Sequence, residues 1–340
     1  MQSFIDIAKR LLPDFLPVLQ KRYTILRTIG FMQPVGRRSL AVSLGLTERI
    51  LRSEVDFLKE QNLISSNNIG MSLTQEGRNL LEDLEGLMRE LKGIDVLELE
   101  LKHRLGIKKV IIVPGDGDKS PLVKRELGKA AATSMKKLFQ GENIIAVTGG
   151  STMAAVADQL TPESSDKKLL FVPARGGVGE DVQNQANTIC AIMASNTHSR
   201  HRVFYVPDQV SPEIYQSLIK EPDIHENLKL IQSANMVLHG IGDAITMAER
   251  RKSSSELLKK LEDAEAVGEA FGYYFNEDGE IVHKVSTIGI QLENLKEIPH
   301  VLAVAGGASK AKAIKAYMKQ APASTILVTD EGAAETLVKA

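Results

Sequence analysis

A single cysteine, Cys190, leaves the chain unable to close a disulfide on itself, which suits a reducing compartment. There is no tryptophan, and aromatic side chains make up only 4% of the residues. That is too few for the stacking platforms that hold single-stranded nucleic acid. The formal net charge is −1, so there is no global basic field, and any nucleic-acid contact must rest on a local patch. No apolar run reaches the ~20 residues needed to span a bilayer. The opening stretch "MQSFIDIAKRLLPDFLPVLQKR" sets Asp6 and Asp14 among its apolar residues, unlike a signal peptide. A cytoplasmic protein with no membrane partner is expected. What is present is an ordinary globular composition, 43% apolar and 25% charged over 340 residues. That length suits two domains or more.

Residues 1–90 carry helix-type periodicity apart from one short hairpin signal. From residue 91 onward, short β-branched runs alternate with helical segments. Seven read as strands: "VIIV" (110–113), "IIAV" (144–147), "LLFV" (169–172), "VFYV" (203–206), "MVLH" (236–239), "VLAV" (301–304) and "TILV" (325–328). Apolar runs divided by helices predict a doubly wound, mostly parallel sheet buried on both faces. Its ligands would sit at the carboxyl ends of the strands. The expected class is α/β, with a helical unit over 1–90 and a sheet domain over 91–340. Between them, Leu80, Leu84, Leu87, Leu91 and Ile94 form a short heptad stripe. It is either a linker helix packed on its own domain or a dimer seam. Gly93 weakens the helix in mid-run, "VLELEL" alternates as a strand would, and Gly106 is placed to end the helix.

In "QPVGRRSLAVSLGLTERILRSEVDFLKEQNLI" a short helix meets Gly45, and Thr47 can cap a second helix that runs to about Gln61. Ile50, Leu51, Val55 and Leu58 make its apolar stripe. Helix, glycine turn and helix are the helix-turn-helix layout. "ISSNNIGMSLTQEG" then supplies two short apolar pieces around an Asn67-Asn68 turn, which fits a wing. Between residues 21 and 60 stand eight basic and four acidic side chains, the local excess that phosphate contacts need. Arg49, Arg52 and Ser53, near the helix start, are the candidates for reading base edges, and the capping Thr47 is counted with the DNA-binding set. Arg37 and Arg38 are candidates for clamping the backbone. The expected partner is double-stranded DNA, bound by a dimer on paired half-sites.

The stretch "NIIAVTGGSTMAAVADQL" reads as strand, tight turn and helix start, a seat for an anion. Gly149 and Gly150 let the chain turn, and Ser151 and Thr152 supply donors. Other strand ends add Arg175 in "VPARGGVG", Arg250 after "GIGDA", and Lys310 in "AGGASK". Three cations on strand-end loops of one sheet could surround one polyanion. There is neither a G-x-G-x-x-G after the first strand nor a G-x-x-x-x-G-K-[ST]. A dinucleotide or triphosphate is therefore disfavoured, and a phosphorylated sugar is the best ligand. Asn184 and Gln185 could bind its hydroxyls. Among Asp243, Asp263, Glu265 and Glu269, all read as lying on helices, Glu269 is the best further candidate because it sits among Val267, Gly268, Ala270 and Phe271. No metal or cofactor is expected.

The pieces "VTGGST", "VPARGG", "LHGIGDA", "EAVGEAFGYYFNEDG", "IPHVLAVAGGASKAKAI" and "LVTDEGAA" together resemble the sugar-binding domain of the SorC/DeoR-type bacterial regulators, over roughly residues 90–340 and in the family's order. With the winged helix in front, the resemblance implies a repressor of a glycolytic operon that responds to fructose 1,6-bisphosphate. It implies a homodimer or homotetramer whose effector loosens the operator complex. It also implies a phosphate loop of Gly149, Gly150, Ser151 and Thr152, with Arg175, Gln185, Arg250, Glu269 and Lys310 completing the pocket.

The fold is also similar to the glucosamine-6-phosphate deaminase and ribose-5-phosphate isomerase group, which makes a sugar-phosphate isomerase or deaminase the alternative. Those deaminases carry a stretch like Gly-Ile-Gly-x-Asp-Gly-His. Here Ala244 and Thr246 stand where the acid and imidazole would be, and Asp243 comes one position early. A base must lie within hydrogen-bond reach of its proton, so the site reads as phosphate binding without chemistry. A protein–protein adaptor is a third reading, separable by salt-dependent duplex binding.

Overall fold

The computed structural model describes residues 11–162, 167–177 and 181–339. Asp6, and Val178 and Gly179 of the Arg175 loop, lie outside the described residues. The chain divides into two compact units, Met1–Asp95 and Val96–Ala340.

The first unit runs α1 (Phe15–Met32), α2 (Arg37–Leu44), α3 (Glu48–Glu60), β1 (Ile64–Ser66), β2 (Met71–Leu73) and α4 (Gln75–Leu91). Gly45, at φ +62, ends α2, and the Leu46 N–H closes back on the Ala41 carbonyl at 3.0 Å, a glycine helix stop. The Thr47 hydroxyl caps α3 by accepting the Ile50 N–H at 3.3 Å. β1 and β2 pair antiparallel as a wing, Ile64 opposite Leu73. The Asn67 side chain accepts the Ile69 and Gly70 N–H groups in its turn. Leu40, Leu51, Val55 and Leu58 bury fully with Ile25 and Ile29, each such side chain contributing about 1.5–3 kcal/mol. Ile50, expected in that stripe, is 46% exposed; the core takes the i, i+4, i+7 row from Leu51, and its neighbour turns outward. The heptad stripe does not run on one helix. Gly93, at φ +64, separates α4 from α5 (Ile94–Leu105), and α5 makes "VLELEL" helical. Gly106, at φ +65, follows its end.

In the second unit a seven-stranded sheet has the order β3-β13-β12-β7-β4-β5-β6, and every recorded pairing in it is parallel. These strands are Lys109–Val113 (β3), Glu142–Val147 (β4), Lys168–Pro173 (β5), Arg200–His201 (β6), Met236–Gly240 (β7), His300–Val304 (β12) and Thr325–Asp330 (β13). Apart from the exposed edge strand β6, their apolar runs are buried on both faces, as expected of a covered parallel sheet. "VFYV" is not a strand. The ladder ends upstream, where the Arg202 N–H reaches the Phe171 carbonyl. The Asn187 side chain then takes both the Phe204 N–H and its carbonyl, so those groups have no need of a strand partner.

From β4 the chain builds outward through β5 and β6, then returns to place β7 on the other side of β4 and adds β12 and β13 there. The switch point thus lies between β4 and β7, where ligands of such sheets bind. An unforeseen antiparallel sheet, β8 (Gly242–Asp243), β9 (Ala266–Ala270), β10 (Tyr273–Asn276) and β11 (Ile281–Lys284), is inserted after β7.

Candidate functional site

A cavity of about 550 Å³ opens at this switch point. All nine residues expected around an anionic ligand line it: Gly149, Gly150, Ser151, Thr152, Arg175, Gln185, Arg250, Glu269 and Lys310. The turn after β4 gives way to a short helix, α7 (Ser151–Ala157). Gly150 takes φ +117 and donates its N–H to the Asn184 carbonyl at 2.8 Å. A Cβ on Gly149 would come within 2.7 Å of that same oxygen, so this close approach requires glycine. The first-turn N–H groups of α7, at Ser151, Thr152 and Met153, lack a carbonyl four residues earlier within the helix.

Lys310 follows the turn after β12, which neighbouring carboxylates hold in place. Asp330 accepts the Gly117 and Gly307 N–H groups, both at 2.7 Å. Asp118 accepts the Ser309 N–H at 2.7 Å and its hydroxyl at 2.9 Å. Burial holds the Lys310 ammonium below its ordinary pKa, and Lys124 and Arg250 add to that by repulsion, against weaker support from Asp118 and Asp330. Lys124, missed by sequence reasoning, reaches the Ser151 hydroxyl at 3.3 Å. One corner of the cavity therefore crowds three cations together.

Arg175 behaves differently from the expectation of a free cation. It is 5% exposed; one guanidinium nitrogen donates to Asp208, and another lies 3.6 Å from Glu269. Its Nε is buried without a partner. Arg251 completes the group, donating to Asp208 Oδ2, the Tyr274 hydroxyl and Glu269 Oε1, each at 2.9 Å. Glu269 lies on a strand rather than a helix. On β9 it pairs across from Gly242, and its Oε1 also accepts the Gly272 N–H at 2.6 Å. Sequence reasoning missed Asp208 and Arg251. The Arg250-Arg251 doublet was visible, but which arginine turns inward depends on where α11 (Ala244–Arg250) meets β9.

Neither residue near the turn after β7 is placed for proton transfer. Asp243 caps α11, its Oδ1 accepting the Thr246 N–H at 2.9 Å and hydroxyl at 2.8 Å. His239 is buried, which pushes its pKa down to about 4 against the opposing pull of the Gly240 carbonyl. Both ring nitrogens are engaged, by the Tyr317 hydroxyl and the Gly240 carbonyl, each at 3.0 Å.

In the first unit, Arg37, Arg38, Thr47, Arg49, Arg52 and Ser53 are all exposed on α2, α3 and the turn between them. The Thr47 hydroxyl is already engaged as the α3 cap. Arg38 makes a solvent-exposed ion pair with Glu48 at 3.3 Å. Lys21 and Arg22 do not add to this basic surface. Both pair with the buried Glu54, whose carboxyl they hold low against the effect of burial. Arg22 also lies over the Phe57 ring, 3.6 Å from its centroid. Among the described residues, no helix is long and apolar enough to cross a membrane.

Residues 89–339 match the family model described as "Putative sugar-binding domain", and residues 18–88 match "CggR N-terminal DNA binding domain". The chain is 58% identical over 340 residues to the central glycolytic genes regulator of Priestia megaterium, covering 100% of this chain and 99% of that protein. It is 56% identical over 339 residues to the protein of the same name from Bacillus subtilis, covering 100% and 99%. Among solved structures, one described as the "putative SorC family transcriptional regulator from Enterococcus faecalis" is 49% identical with a TM-score of 0.68, over 71% of this chain and 99% of that one.

Proposed function

The chain belongs to the SorC family of transcriptional regulators, here a DNA-binding domain followed by a sugar-binding domain, and from that premise we propose that it represses glycolytic genes and releases or remodels its operator complex when a phosphorylated sugar binds. Its near relatives are named as regulators of central glycolytic genes; it is a regulator and not an enzyme. Fructose 1,6-bisphosphate is the effector proposed. The observation that carries the reading is the cationic corner: Lys310 is depressed by burial and by Lys124 and Arg250, a repulsion that a phosphate would relieve. The turn from Gly149 to Thr152 supplies donors beside it, and Arg175 is the cation proposed for a second phosphate. Glu269, whose recorded contacts all use Oε1, and Gln185 are proposed to take hydroxyls.

In the first unit, Arg49, Arg52 and Ser53 are proposed to reach base edges, while Arg37 and Arg38 hold phosphates. Thr47 acts by fixing the start of α3. Such an interface works as a homodimer or homotetramer in the cytoplasm. Because α4 ends before Gly93, a seam would use the half-buried Leu84, Leu87 and Leu91 without continuing into α5. Changing Leu84 and Leu87 to Asp should then uncouple the amino-terminal units, as read by ultracentrifugation and operator footprinting. A thermal-shift series with phosphorylated sugars tests the sensor, since a tight ligand raises the transition by mass action. The bisphosphate should shift it most, and no shift with any sugar phosphate would contradict the reading.

A further inference from the structure

The cavity's lining holds two charge environments. The Lys124, Arg250 and Lys310 corner is net positive. Elsewhere Arg175, Arg251, Glu269 and Asp181 line the wall; the two arginines and Glu269 by themselves would total one positive charge. Asp208 is not among the lining residues, yet it contacts both guanidinium groups and is 7% exposed. The four side chains thus form a closed ring of zero net charge. Burial works against the charge on Arg251, and Glu269 and Asp208 outweigh it, so its pKa is raised. Each guanidinium thus faces both carboxylates, the pairing that a charge taken out of water requires.

We infer that Asp208 and Arg251 are specificity-determining positioning residues: Asp208 cancels the charge of Arg175 from behind the wall, and Arg251 fixes Glu269, so that the ring limits how strongly the cavity favours a second phosphate over a hydroxyl. This rests on the reading of the cavity as a sugar-phosphate site. A phosphate that approaches Arg175 must compete with Asp208 and Glu269 for it. A hydroxyl meets no such charge competition. Charge selectivity is then set by a count of ring charges that substitution can change one unit at a time.

The test is calorimetric titration of the full-length protein with fructose 1,6-bisphosphate and with fructose 6-phosphate. Asp208→Asn keeps the shape and leaves the ring at +1. The ratio of bisphosphate to monophosphate affinity should rise about tenfold over the wild type, a modest effect for one unit of charge. The double variant Asp208→Asn, Arg251→Met restores neutrality and should return the ratio close to the wild-type value. Arg251→Gln, assayed below its own unfolding temperature, leaves one guanidinium against two carboxylates and should lower the ratio. It serves if Asp208→Asn does not fold. A wild type that binds both sugars, with the ratio unmoved in every folded variant, overturns the inference alone. A wild type that binds neither overturns the sugar-phosphate reading and the inference with it.

Discussion

In the amino-terminal unit Arg49 and Arg52 stand in solvent on a helix whose other side is fully buried core. In the carboxy-terminal unit the side chains of Arg175 and Arg251 are 6% and 3% exposed and held by carboxylates. The same residue type meets water in one unit and a fixed counter-charge in the other. Exposed arginines can exchange hydration for phosphates with little change to the fold, so their loss should alter DNA affinity and leave stability alone. Buried, paired arginines tie ligand recognition to folding, because removing one leaves its partners charged and dry.

The sharpest break of this contrast is Arg251→Ala. With Asp208 and Glu269 left to share Arg175, the chain should lose about 3–5 kcal/mol of stability, whereas Arg52→Ala should lose almost none; denaturant unfolding of both variants compares them directly. Next in size is Lys310→Ala. Losing one charge-assisted contact to phosphate, worth ~1.5–3 kcal/mol, should weaken effector binding about ten- to a hundredfold while operator affinity stays at the wild-type value. Effector binding by the wild type should also weaken as pH rises through the lowered Lys310 pKa, because the ammonium that meets the phosphate is lost. Arg49→Ala or Arg52→Ala should cost ~1–3 kcal/mol of specific operator binding and lower the specific-to-random ratio. Arg37→Ala should instead weaken all duplexes alike and flatten the salt dependence. Unchanged operator affinity in both the Arg49 and Arg52 variants would move the reading helix elsewhere. Smallest is Thr47→Ala. Loss of the α3 cap should cost about 1 kcal/mol of stability in the first unit, and Thr47→Ser should recover it.

The two units were also unequally legible in the sequence. The helix-turn-helix and wing could be read because each signal is local: Gly45 stops one helix, Thr47 starts the next, and Asn67 turns the hairpin. Strand-end loops were legible for the same reason, and they bring Gly149 to Thr152, Arg175 and Lys310 to one cavity. Partnerships were not legible. Asp208 meets Arg175 and Arg251 only because the chain after β6 passes beneath the Arg175 turn, where Gly177 bridges to Pro207. The strand carrying Glu269 was hidden by "EAVGEAFGYYFNEDG", a stretch whose pairing depends on a Phe271-Gly272 turn at positive φ in both residues. The short edge strand, Arg200–His201, lost to the more apolar "VFYV" because apolarity marks burial, and Phe204 is buried without belonging to a ladder.

The central claim is that sugar-phosphate binding in the second unit and operator binding in the first are two readings of one equilibrium. Titrating fructose 1,6-bisphosphate into a labelled operator complex, and operator into the effector-bound protein, measures the coupling from both sides. The account predicts that effector weakens operator binding, or changes its mode of assembly, and that operator weakens effector binding by the same factor, as linkage requires. It predicts that Thr152→Ala and Lys310→Ala proteins bind operator normally and ignore the sugar. Operator affinity that stays constant while the effector saturates its site would contradict it.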